Sequence, residues 1–119
     1  MHKELENLEN SPVTWAGTLM GYVEVPAGTD FSPFFEGLPD DKCQCPHWGY
    51  VFKGALHVGY TDGSEEVLKA GQVFYMPPGH TVWTTDEDTA LLVLGPEKEE
   101  KEVLQHIEKR QRELSQQSA

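Results

Sequence analysis

Short apolar runs, broken at close intervals by turn residues, fill the chain from Val13 to Leu94 and predict strands rather than helices. Val13 to Val25 carries Trp15, Leu19, Tyr22, Val23 and Val25, is interrupted by Gly17 and Gly21, and closes at Pro26 to Gly28. Trp48 to Lys53 predicts a strand that Gly54 breaks, and Ala55 to Tyr60 predicts the next. Asp62-Gly63 predicts a two-residue hairpin turn, because glycine tolerates the positive φ that such a turn demands. Val67-Leu68, Val73 to Met76, Thr81 to Thr85 and Ala90 to Leu94 complete the series, with corners at Ala70-Gly71 and Pro77-Pro78-Gly79. Strands of this length at this spacing predict an all-β sandwich or barrel.

Two segments depart from that pattern. Phe31 to Asp41 reads as a loop, yet Phe31, Phe34, Phe35 and Leu38 are too apolar for an exposed linker and should lie on the body of the fold. Beyond Gly95-Pro96 the residues turn to Glu, Lys, Gln and Arg, with Val103, Leu104, Ile107 and Leu114 at helical spacing. This predicts a C-terminal helix of up to ~20 residues. Glu97 to Glu100 suit the positive end of its dipole, and Lys109, Arg110 and Arg112 suit its later turns. The expected organisation is an N-terminal arm over 1–12, a β domain over 13–96, and a helix with its tail over 97–119.

A length of 119 residues allows one domain, and 38% hydrophobic residues with five Phe, four Tyr and three Trp supply a core. The net charge of −11 repels phosphate backbones and anionic headgroups, which argues against nucleic acid and membrane partners. No run approaches the ~20 apolar residues that span a bilayer, and the acidic start is unlike a leader, so a cytoplasmic protein is expected. Cys43 and Cys45 would stand ~6.5 to 7 Å apart in a strand, too far for an easy disulfide, and read as thiols or metal ligands.

The densest chemical signal is Cys43-Gln44-Cys45-Pro46-His47. Alternation places Cys43, Cys45 and His47 on one face of an extended segment, and Pro46 ends or bulges the strand so that they can converge. Thiolates with imidazole suit zinc, iron or copper better than magnesium or calcium. The competing reading makes the thiols small buried hydrophobes and His47 a hydrogen-bonded core residue. Cys45 and His47 also suggest a nucleophilic pair, for which the sequence identifies no orienting third group. His80, directly after Pro77-Pro78-Gly79, is either a turn histidine or a further ligand from a neighbouring strand. Tyr60, Tyr75 and Trp83 are candidates to line a pocket, although aromatics in small barrels are usually core. His57 reads as a surface or interface residue.

These residues resemble the cupin family. Gly71, Pro77 and Gly79 match its second motif, and Gly54 matches the glycine that ends the strand of its first motif. Seven positions earlier, His47 stands where the family usually has a glutamate ligand. The usual His-x-His pair is replaced by Asp41, Cys43 and Cys45, and Val82 occupies the position of the second-motif histidine, for which His80 could substitute. The resemblance covers about Val13 to Pro96. It implies a jelly-roll β-barrel, a divalent transition metal on Cys43, Cys45, His47 and His80, and a small-molecule ligand. Both faces of the strand after His47 are apolar and one needs a cover, from the N-terminal segment or a second subunit, and because cupins are often dimers the resemblance implies a homodimer. The activity it implies is either an enzyme of oxygenase or isomerase type or a binding or sensing module without turnover.

Overall fold

The computed structural model describes residues 1–9 and 11–117, so Asn10 of the expected arm and the last two residues of the expected tail lie outside the described residues. Among the described residues, eight strands form two antiparallel sheets. Strands β1 (Val13–Trp15), β2 (Thr18–Val25), β8 (Thr89–Pro96), β3 (His47–Lys53) and β6 (Val73–Met76) lie in that order in the larger sheet. The smaller holds β5 (Glu65–Lys69), β4 (Ala55–Tyr60) and β7 (His80–Trp83). The ladders run within each sheet and do not close a continuous barrel, so the jelly roll is a sandwich of two sheets.

Turn chemistry explains where the strands break. The expected strand from Val13 to Val25 is a hairpin, because Ala16 and Gly17 both adopt positive φ (51° and 76°), the conformation of a two-residue type I′ turn. The turn between β4 and β5 is one residue longer than expected. The Tyr60 N–H donates to the Ser64 carbonyl and the Gly63 N–H to the Tyr60 carbonyl, so Gly63, at φ 88°, serves as the left-handed residue of a three-residue loop. β3 pairs with β8 through a bulge between Val51 and Lys53.

Period-two alternation sorts the strands into an inner and an outer face. Val25, Val51, Leu56, Val58, Leu68, Phe74, Met76 and Leu91 meet between the sheets as the main core, with Val51 and Val58 fully buried. Trp48 and Phe52 alternate outward from β3 and remain exposed, as does Tyr75 beside Trp48.

The apolar segment after Phe31 is partly helical. A single turn, α2 (Ser32–Phe35), follows the four-residue α1 (Leu5–Leu8), and a 3-10 turn covers Pro39–Asp41. Phe35 is buried in a second cluster with Cys43 and Cys45, against Phe31, Leu38, Val103 and Ile107. Val103 and Ile107 belong to α3 (Glu97–Gln117), whose apolar stripe packs on its own chain. Polar ties hold it there: Arg110 donates to the Pro33 carbonyl at 3.0 Å and to Glu36 at 2.9 Å, and His106 Nε2–H donates to the Glu36 carbonyl at 2.7 Å.

Candidate metal centre

Backbone pairing places the first thiol. The Cys43 N–H donates to the His80 carbonyl at 2.8 Å, and the Gly79 and His80 N–H groups donate back to the Cys43 carbonyl at 2.8 and 3.2 Å. This isolated bridge sets Cys43 beside the first residue of β7. His47 opens β3, opposite Met76 of β6, and its ring meets the His80 ring edge-on with centroids 5.0 Å apart. The ligand atoms of Cys43, His47 and His80 all lie within 4.8 Å of one another. Cys43 and His80 are each only 1% exposed, so these groups form their interactions away from bulk water.

The hydrogen bonds of the two imidazoles determine which nitrogen can serve as a ligand. His80 Nδ1 lies 2.8 Å from the Pro77 carbonyl, which can only accept, so Nδ1 carries the proton and Nε2 is left as the ligand atom. His47 Nδ1 donates to Glu100 Oε1 at 2.6 Å, which likewise leaves Nε2, 3.5 Å from Cys43 Sγ. A carboxylate or carbonyl that anchors the far nitrogen is the usual support of a metal-binding histidine. The donor set therefore fits a transition ion: one sulfur and two Nε2 atoms, each imidazole fixed from behind.

Charge follows the same geometry. Burial alone pushes the Cys43 thiol up, but hydrogen bonds and charge from His47 and His80 outweigh it and bring the pKa from 9.0 down to about 6. Burial pushes His47 down, yet its bonds to Cys43 and Glu100 raise it from 6.5 to about 9. Near neutral pH the metal-free pair is thus a thiolate facing an imidazolium. Cys45 behaves oppositely: burial, then the charges of Glu100 and Cys43, raise its pKa and keep it a thiol.

Structure therefore separates residues that sequence grouped together. Cys43, His47 and His80 form one cluster, while Cys45 joins His47 and Glu100 in a second that shares only the imidazole. The second set engages Glu100, whose Oε1 already accepts from His47 Nδ1. The nucleophilic pairing also changes partner. Cys43, not Cys45, faces His47 Nε2, and Glu100 is the orienting third group that the sequence had not identified.

A cavity of about 190 Å³ adjoins the cluster, lined by Cys43, His47, His80, Glu100 and apolar side chains that include Met76 and Val82. Tyr60, Tyr75 and Trp83 lie elsewhere. Tyr60 and Tyr75 line a separate, more open pocket of about 510 Å³ beside Pro77 and Pro78, and the Tyr60 hydroxyl donates to Glu66. Trp83 stacks on His57 with ring centroids 5.6 Å apart. Parity accounts for two of these: Phe74 and Met76 occupy the inward positions of β6 and turn Tyr75 out, and Val82 is the inward neighbour of Trp83.

Glu100 is the residue that sequence reasoning passed over. Its carboxylate fits because Gly95 of β8 has no side chain: a Cβ built there would overlap Glu100 Oε1. A signal was present, since Glu100 stands three and seven residues before Val103 and Ile107, on the apolar stripe of α3, and is 8% exposed.

No protein-family model matches this chain, and no curated protein sequence matches it either. Solved structures do match. An RmlC-like cupin with a double-stranded β-helix from Methanocaldococcus jannaschii is 15% identical with a TM-score of 0.54, over 75% of this chain and 78% of that one. A cupin-2 domain protein from Shewanella frigidimarina is 17% identical with a TM-score of 0.50, over 74% of this chain and 81% of that one. An ethanolamine utilization protein Q from Salmonella typhimurium is 18% identical with a TM-score of 0.50, over 68% of this chain. The match spans 58% of that protein's length. At these identities the likeness is one of fold, and it bears out the resemblance at that level: the chain folds as a cupin, a double-stranded β-helix. Among the described residues no helix is long and apolar enough to cross a membrane.

Proposed function

We propose that the chain is a cupin that holds a divalent transition metal, zinc, iron or copper, on Cys43, His47 and His80 and receives a small molecule in the adjoining cavity. One observation carries this reading: the Nδ1 atoms of both imidazoles are bonded from behind, so that both Nε2 atoms and the Cys43 sulfur converge. Three protein ligands beside a cavity suit a site that keeps a position for substrate or water, where an ion polarises a carbonyl or activates water. Glu100 orients His47, and Cys45 stays outside the ligand set as a thiol. A site of this kind supports turnover, whereas a closed four-ligand site would support structure or sensing.

Elemental analysis of tag-free protein purified without chelator tests the reading. One equivalent of a transition metal is expected, lost in Cys43→Ala, His47→Ala and His80→Ala and retained in Cys45→Ala. Metal-free wild-type protein that binds no added zinc would contradict it.

A second reading draws on the same geometry. Without an ion, Cys43, His47 and Glu100 stand in the order nucleophile, base and orienting carboxylate. Alkylation separates the two: in the metal reading, bound zinc protects Cys43 from iodoacetamide, while a thiol nucleophile reacts at an unchanged rate.

The free thiols Cys43 and Cys45 support a reducing, cytoplasmic setting. The outer face of the larger sheet supports a homodimer. Trp48, Phe52, Val73 and Tyr75 are exposed there, large apolar and aromatic side chains that a second copy can cover.

A further inference from the structure

We propose that the cavity beside the cluster takes an uncharged, largely hydrocarbon molecule of about six to eight non-hydrogen atoms, with at most one polar group turned toward Cys43, His47 and His80. This deepens the proposed function and rests on it only for the partner of that polar group.

Size sets the first limit. A volume of about 190 Å³ lies below the roughly 300 to 1,000 Å³ of sites for drug-sized ligands, enough for a short chain or a small ring. Chemistry sets the second. Apart from Cys43, His47, His80 and Glu100, every lining side chain is apolar, and no Lys or Arg contributes among the described residues. A ligand carboxylate would leave water without a cationic partner. In metal-free protein the cluster does not supply one, because His47 is already paired with Cys43 and Glu100. The exterior, at net charge −11, repels anions as they approach. A cationic ligand fares no better inside, because apolar walls strip its hydration and the Glu100 carboxylate is already paired with His47.

The entrance has the same character. Val23 of β2 and Leu104 of α3 both line the cavity, yet they are 37% and 45% exposed, which places the opening between these two elements. Both lips are apolar. A hydrocarbon group can cross them while losing only water contacts it gains by shedding.

A matched series tests the inference: hexan-1-ol, hexanoate and hexylammonium titrated at pH 7 into zinc-loaded and chelator-treated protein, with binding read by calorimetry and saturation-transfer NMR. Hexan-1-ol should bind at least about tenfold more tightly than either ion in chelator-treated protein, and more tightly than hexylammonium in both preparations. Leu104→Trp, which fills the mouth, should abolish its binding while melting temperature and zinc content hold. In chelator-treated protein, equal or tighter binding of either ion, no binding by any of the three, or undiminished binding in Leu104→Trp would each overturn the inference. The metal reading fails separately. Protein that takes up no zinc but keeps the ranking retains the ligand class and loses the metal, and protein that takes up zinc but prefers hexanoate once the metal is removed does the reverse.

Discussion

His47 Nδ1 donates to Glu100 Oε1 across 2.6 Å, and this bond joins the first residue of β3 to the first turn of the C-terminal helix. It links metal chemistry to helix docking. Glu100→Ala removes the orienting carboxylate and leaves the buried His47 Nδ1–H without its acceptor, at a cost of about 3 to 5 kcal/mol to stability. Glu100→Gln keeps an acceptor oxygen and is the cleaner test. Zinc affinity should fall about 10- to 100-fold in Glu100→Ala and less in Glu100→Gln, measured by competition with a chromophoric chelator. Equal affinity in all three proteins would remove Glu100 from the site.

Gly95→Ala should reproduce the effect from the opposite side. The added methyl overlaps Glu100 Oε1 and also comes within 2.9 Å of the Pro46 carbonyl, so the carboxylate must leave His47. The expected result is a zinc affinity lowered as in Glu100→Ala, although no charged group has been touched. A variant that folds and binds zinc normally would show that the carboxylate has another place to sit.

Much of this was legible in the chain because turn chemistry is local. Gly54, Gly71 and Pro77-Pro78-Gly79 mark corners by their own conformational limits, and the strand over Val73–Met76 falls where alternation predicts it. Cys43, His47 and His80 were legible as candidates, but their grouping was not. Alternation treated Cys43 and Cys45 alike, whereas the backbone bridge from Cys43 to His80 decides which sulfur faces the imidazoles. Glu100 lies 53 residues beyond His47, and only the packing of α3 brings them together. A carboxylate on an apolar stripe was its one trace, masked by Glu97 and Glu99 at a helix start where acidic residues are expected anyway.

The opposed shifts of Cys43 and His47 make a pH prediction for metal-free protein. Cys43, lowered to about 6, contributes stability that is complete above its unfolded value of 9.0 and lost as pH falls through about 6. His47, raised to about 9, contributes stability that is complete below its unfolded value of 6.5 and lost as pH rises through about 9. The two slopes offset between about 6 and 9, so the melting temperature should change little across that window while thiolate absorbance at 240 nm rises with a midpoint near 6. Cys45→Ser should leave this titration intact and Cys43→Ser should abolish it. A single midpoint near 9 would contradict the pairing.

The outer sheet face makes a prediction about assembly. Trp48 and Tyr75 lie with ring centroids 5.3 Å apart, and the rings of Tyr50 and Tyr22 both approach Phe52, giving an aromatic surface with little reason to face water. Sedimentation velocity should show a dimer, converted to monomer by Trp48→Glu with secondary structure unchanged. A wild-type monomer at micromolar concentration would leave that face without the proposed occupant.

X-ray absorption at the metal edge of zinc-loaded protein tests the central claim most directly. The account predicts one sulfur at about 2.3 Å and imidazole nitrogens at about 2.0 to 2.1 Å, with the sulfur signal lost in Cys43→Ser and kept in Cys45→Ser. Two sulfurs in the wild type, or a sulfur that survives Cys43→Ser, would contradict it.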